Sequence, residues 1–246
     1  MPAVRAVNWA SKARPFEGHG RGPDVVVVPL DRDTEWEARL RRASCLDLVF
    51  RGWEQAVSGD HPAGVRSPVL LLDSGGARPL GELVACVRSL KIVTPVVVSA
   101  EGAENASRLL MAGALNVLDR NAPPGVLMAR IEADLRWLRR TGAVGDRRCA
   151  TGAPRLAVQA PAFRTQALLL DVLCSLRGPV CCHDIRMLLG TPAQPMTLRA
   201  LRARIERLEP YLTRHGVRCL RSVRYGADTI DVEALLDTAE LAGQHR

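Results

Sequence analysis

Five short apolar runs, each followed by a segment of helical period, constrain this chain more than any other feature. The runs are VVVV (25–28), LDLVF (46–50), VLLL (69–72), PVVV (95–98) and LNVL (115–118). They are rich in Val and Leu and too short for helices. Strands covered on both faces read this way, whereas a strand with one wet face alternates. A capping box, Thr34-x-x-Glu37, opens the first amphipathic segment. Further helices are predicted over 53–58, 79–90, 103–112 and 123–140. In the last, Pro123 and Pro124 suit a helix start, and Val126, Leu127, Ile131, Leu135 and Leu138 fall near helical spacing. Five strand-then-helix units over 24–140 predict an α/β domain on a doubly wound, five-stranded parallel sheet. Ligands of such sheets bind beyond the carboxyl ends of the strands.

The pattern changes after residue 140. The stretch TGAVGDRRCATGAPR (141–155) is small, polar and Gly-punctuated, as an interdomain linker is. Helices are predicted over 163–178, 182–190 and 196–212, with the turn TPAQP (191–195) before the third. Two strands follow over 216–232, around a turn at Gly226-Ala227-Asp228. Helix, helix, turn, helix, hairpin is a winged helix-turn-helix layout, here over 156–246 with one more helix at 233–242. Residues 1–23 show no period and read as a basic, mostly disordered tail.

Charge follows these divisions. The formal net charge is +8, from 34 Lys+Arg against 26 Asp+Glu. Residues 1–23 contribute +3, residues 24–140 contribute 0, and residues 141–246 contribute +5. The surplus is arginine, since the only lysines are Lys12 and Lys91. A guanidinium pairs phosphate oxygens bidentately, so the C-terminal surplus points to a phosphate-rich partner. On the third predicted helix Leu198, Leu201, Ile205 and Leu208 form one apolar stripe. Arg199, Ala203, Glu206 and Arg207 lie opposite, and Arg202 and Arg204 flank the stripe. From 197 to 224 there are eight arginines and two acids. Candidate DNA contacts are therefore Thr197, Arg199, Arg202, Arg204, Arg207, Arg221, Arg224 and Tyr225, on one helix and one hairpin.

Other classes are weaker. The seven cysteines, Cys45, Cys86, Cys149, Cys174, Cys181, Cys182 and Cys219, form no C-x-x-C, and most sit in apolar stretches, so neither a zinc site nor a disulfide framework is expected. No G-x-G-x-x-G, G-x-x-x-x-G-K-[ST] or G-x-S-x-G is present, which leaves an α/β enzyme without a motif, a cofactor or a catalytic residue to name. His61, the only histidine in the α/β region, sits in a Gly/Pro-containing loop. No apolar run approaches a bilayer-spanning length, and no secretory block opens the chain, so no membrane association and a cytoplasmic location are expected.

The strand ends carry a resemblance. Asp73 follows VLLL, Ser99-Ala100 follows PVVV, Ala112-Gly113-Ala114 precedes the fifth strand, and Asp119-Arg120 follows it. This order, over about 24–140, resembles the receiver domain of bacterial response regulators. The resemblance implies a phosphoacceptor-like Asp73, a hydroxyl switch at Ser99 and a phosphate-pairing cation at Arg120, where the family has Lys. The family's acidic pair for magnesium is replaced by Pro29-Leu30-Asp31, so Asp31 and Asp33 are the remaining carboxylates of a degenerate pocket. Asn121 stands where the family has proline, and Val117 stands at its aromatic switch position. The segment 163–232, through Leu220-Arg221-Ser222-Val223-Arg224-Tyr225-Gly226, resembles the OmpR/PhoB-type effector domain. The wing tip departs from it at Asp228-Thr229-Ile230-Asp231-Val232.

Together these imply an orphan, two-component-type transcription regulator that binds double-stranded DNA and works without phosphorylation. It is expected to pair as a homodimer through 103–140, with RNA polymerase and a small-molecule effector as candidate partners and an Arg–Asp salt bridge in place of a metal. A conventional regulator phosphorylated on Asp73 is the alternative. Binding of RNA by the C-terminal part is a further one.

Overall fold

The computed structural model describes residues 24–58, 69–102, 105–141 and 164–234, apart from 32, 77, 177 and 215. The tail expected over 1–23, the linker after 141 and all of the added helix beyond 234 lie outside the described residues.

Five strands, β1 (Val25–Pro29), β2 (Leu48–Phe50), β3 (Val69–Asp73), β4 (Val96–Ala100) and β5 (Asn116–Asp119), make one parallel sheet in the order β2-β1-β3-β4-β5. That order is the flavodoxin-like doubly wound arrangement, with its switch point between β1 and β3. The helices are α1 (Thr34–Ala43), α2 (Trp53–Ser58), α3 (Leu80–Leu90), α4 (Ala106–Ala112) and α5 (Pro124–Arg140). Strand side chains alternate between two cores. Val25, Val27, Val69, Leu71 and Val97 join Trp36 and Leu40 of α1 and Leu127, Ile131 and Leu135 of α5. Val26, Val28, Leu70, Leu72, Val96 and Val98 join residues of α2, α3 and α4 on the other face. Covering both faces is what the unbroken apolar runs demanded.

Two expectations need trimming. The second strand is shorter than 46–50, because Leu46 is bound into a turn: its N–H donates to Ser44 Oγ at 3.0 Å, and Ser44 Oγ donates to Leu46 O at 3.1 Å. Helix α4 begins at Ala106 rather than 103 and ends on Gly113, which takes φ 108, a left-handed conformation that suits glycine.

The C-terminal part consists of α6 (Arg164–Ser175), β6 (Val180–Cys181), α7 (Cys182–Leu189), α8 (Leu198–Arg214), β7 (Val217–Arg224) and β8 (Ala227–Ala234). The strands form an antiparallel sheet in the order β6-β8-β7. Leu201, Ile205, Leu208 and Leu212 of α8 are buried against α6 and α7. Strand β6 escaped sequence reading because it is two residues long, pairing only with Ile230 and Thr229. The hairpin turns at Tyr225-Gly226, not at 226–228, since Ala227 and Asp228 already pair with Arg224 and Val223. Both turn residues have positive φ, 52 and 76, the mirror-image turn that matches strand twist. Glu233 and Ala234, expected to open a helix, close β8 instead.

The two parts touch. Helix α3 packs on the sheet and also on α7, and α2 reaches α7 as well, so one apolar cluster runs from the sheet through α3 into the C-terminal helices.

Candidate functional site

Asp73 ends β3 between Pro29 of β1 and Ser99 of β4, at the switch point where the strand order reverses. It is 0% exposed. Arg120 follows β5 directly, and its N–H donates to Ala100 O at 3.0 Å, which fixes its backbone against the end of β4. Its Nε donates to Asp73 Oδ1 at 2.9 Å and a terminal nitrogen to Asp33 Oδ2 at 2.8 Å. The guanidinium carbon also lies 5.1 Å from the centre of the Trp36 ring, within cation–π range. The expected Arg–Asp salt bridge is present, and it includes a second carboxylate.

Asp33 divides its two oxygens. Oδ1 accepts the Trp36 N–H at 2.9 Å and caps α1, while Oδ2 accepts from Arg120. These contacts, the Trp36 N–H first and Arg120 second, hold its carboxyl below the usual carboxylate range. Asp31 pairs with a different cation. Its two oxygens accept from Arg78, at 3.0 Å from Nε and 2.7 Å from a terminal nitrogen, and the hydrogen bond to Arg78 chiefly lowers its carboxyl. In Asp73 burial is the largest influence and pushes the carboxyl up, with Arg120 pulling against it.

These residues do not fit a magnesium ion, which needs hard oxygens around it in near-octahedral geometry. The oxygens of Asp33 and Asp73 that converge do so on a guanidinium, and Asp31 is turned to Arg78. Among the described residues no group of three or more His, Cys, Asp or Glu side chains is placed to hold a metal. Asp73 is thus both buried and bonded to Arg120.

The second candidate surface lies on α8 and the hairpin. Arg199 and Arg207 are exposed opposite the apolar stripe, Arg202 is exposed on its flank, and Arg204 is half-buried. Arg218, Arg221, Arg224 and Tyr225 of the hairpin are exposed, Tyr225 completely so. Not all of this charge is idle. Arg202 pairs with Asp228 at 3.0 Å, tying α8 to β8, and Arg221 pairs with Glu206 and Glu209 at 3.5 and 3.4 Å. Thr197 is exposed, but its Oγ1 accepts the Ala200 N–H at 3.2 Å, so it caps the start of α8.

Three residues that sequence reading passed over position these surfaces. Trp36 and Arg78 hold the strand-end pocket, as above. Arg186 holds the turn before α8: its carbonyl accepts the N–H groups of Gly190 and Met196, both at 3.1 Å, and its Nε donates back to Met196 O. The turn is so tight that a Cβ on Gly190 would lie 2.6 Å from Gln194 O.

No protein-family profile and no curated protein matches this sequence. Two similar solved structures are response regulators. DrrB of Thermotoga maritima, described as an OmpR/PhoB homologue, is 12% identical over 83% of this chain and 97% of its own, with a TM-score of 0.34. ChrA, the response regulator of a heme-sensing two-component system, is 16% identical over 78% of this chain and 91% of its own, with a TM-score of 0.32. At such values the likeness carries no weight, and the flavodoxin-like fold rests on the strand order and register.

Proposed function

We propose that the chain is a DNA-binding transcription regulator whose receiver-like domain works without phosphorylation, and that residues 164–234 form a winged helix. The observation that carries this is the arginine surface: one helix, packed on its apolar stripe, presents Arg199, Arg202 and Arg207 beside a hairpin presenting Arg218, Arg221 and Arg224. Helix α8 is the element to enter the major groove, where an arginine reads guanine O6 and N7. The hairpin contacts the neighbouring phosphates or the minor groove.

Independence from phosphorylation is supported at Asp73. A phosphoacceptor carboxylate has to meet its donor, and this one is buried and bonded to Arg120. Pairing of two copies through 103–140 is supported by the exposed apolar side chains Leu110 and Met111 of α4 and Val126 and Trp137 of α5, helices that both pack on β5. The protein acts by binding, not by catalysis.

The test is a titration of fluorescent duplex DNA, selected from a random pool, at several salt concentrations. With about five phosphates neutralised per copy, log K falls against log salt with a slope near −4.5. Absence of binding at low salt refutes the proposal, and preference for RNA over duplex DNA redirects it. Intact mass after incubation with a small phosphodonor and magnesium tests the other half: no mass gain is expected, and a phosphoryl adduct on Asp73 overturns it.

A further inference from the structure

The arginine surface faces outward while the two parts of the chain are packed together, and the packing has a specific anchor. Helix α3 lies between the sheet and α7. On its sheet side Leu83, Cys86, Val87 and Leu90 are buried. Val84 and Ala85, half-buried, pack against the apolar cluster that includes Ile185 and Leu188 of α7. At the rim, Arg88 of α3 donates to Asp184 Oδ2 of α7 at 2.8 Å. The two ends of this pair are unequal: the Asp184 side chain is 8% exposed and that of Arg88 45%. The second oxygen of Asp184, Oδ1, is buried without a hydrogen-bond partner among the described residues.

A buried carboxylate with one cationic partner is costly to strand, because losing that partner leaves the charge neither paired nor hydrated. While the two parts are packed, removing Arg88 would therefore leave Asp184 buried and unpaired, so the packed arrangement depends on this pair staying intact. At the same time Arg199, Arg202, Arg207 and the hairpin residues 221–226 stay exposed in that arrangement. A contact that silenced the basic surface would have to cover it. This contact lies on α7 and leaves α8 and the hairpin clear.

We infer that α3 and α7 form a standing joint, latched by Arg88 and Asp184, and that the chain engages its partner in this packed state without releasing the C-terminal domain. The joint positions α8 relative to the sheet and does not act as an inhibitory cover. The part that concerns DNA rests on the reading proposed above; the joint itself does not.

Small-angle scattering and amide hydrogen exchange on the full chain test it. Wild type is expected to scatter as a packed particle, with slow exchange in α3 and α7. Arg88→Glu, a change at a half-exposed side chain, is expected to raise the radius of gyration. It should speed exchange of the α7 amides about tenfold or more, while α1 and α5 stay protected. Val84→Asp, which puts a charge on the half-buried residue of α3 that packs against the shared apolar cluster, should act the same way. A wild-type profile of two separate bodies, or no change in either variant, overturns the joint. Duplex DNA added to wild type should protect α8 and the hairpin and leave α3 and α7 as slow as before. Faster exchange of α3 and α7 on binding overturns engagement in the packed state. If no duplex binds at all, the DNA reading fails, and the scattering result still decides the joint.

Discussion

Arg120 is held by two carboxylates and an aromatic face, and each contact has a consequence that can be measured. Arg120→Met leaves Asp73 buried without its cation, and the expected loss is ~3–5 kcal/mol in urea unfolding. Adding Asp73→Asn to that variant should recover much of the loss, since the stranded charge is gone. At Asp31 the readout is a titration. Arg78 lowers this carboxyl, so its stabilising share is present above the ordinary value of 3.8 and is lost as pH falls through the lowered one. Arg78→Ala should move the Asp31 transition up toward 3.8 in a carbonyl-detected NMR titration, and an unmoved transition refutes the pairing. Asp73 has the opposite sign: its raised carboxyl takes up a proton more readily folded than unfolded, so its share weakens as pH rises through the raised value. The pocket was partly legible in the sequence, because Asp73 and Arg120 stand directly at strand ends and strand ends converge in a parallel sheet. Trp36 and Arg78 were not, since nothing local marks a side chain whose partner lies 47 or more positions away.

Elements were legible where a period ran long enough. The apolar runs and the stripe of α8 marked five strands and that helix within a few residues of their observed ends. What failed was short or held by backbone alone, such as β6 and the exact hairpin turn. In that turn Tyr225 occupies a left-handed conformation, φ 52, which costs a non-glycine residue about 1–2 kcal/mol. Asparagine tolerates it better. Tyr225→Asn should therefore raise the midpoint of thermal unfolding while weakening DNA binding, a split that a purely structural tyrosine would not give. Between α8 and β8, Asp228 holds Arg202. Asp228→Asn frees that guanidinium, and the salt slope of DNA binding should steepen by about 0.9, one further phosphate contact. An unchanged slope places Arg202 outside the interface.

Across the whole molecule the charge division read from sequence has a structural counterpart: a neutral sheet domain beside a basic helix and hairpin. The contact between them was hidden, because the apolar positions of α3 and α7 read equally well as each domain's own core. Self-association belongs to this scale. Met111 is 87% exposed on α4, so its substitution leaves the core intact. Met111→Glu should shift sedimentation toward the monomer without altering the thermal midpoint of a dilute sample, and a dimer of undiminished strength would move the pairing face elsewhere.

The guanidinium beside Asp73 and Asp33 is tethered by peptide bonds to the sheet at whose end it sits. A dissolved ion in that place would come and go with its abundance in the surroundings, and a chelator would strip it. A tethered charge obeys no such mass action. Its local supply is fixed when the chain is synthesised, at one per pocket, and neither dilution nor competing salts withdraw it. Stability of this domain should accordingly be the same in excess divalent ion and in excess chelator.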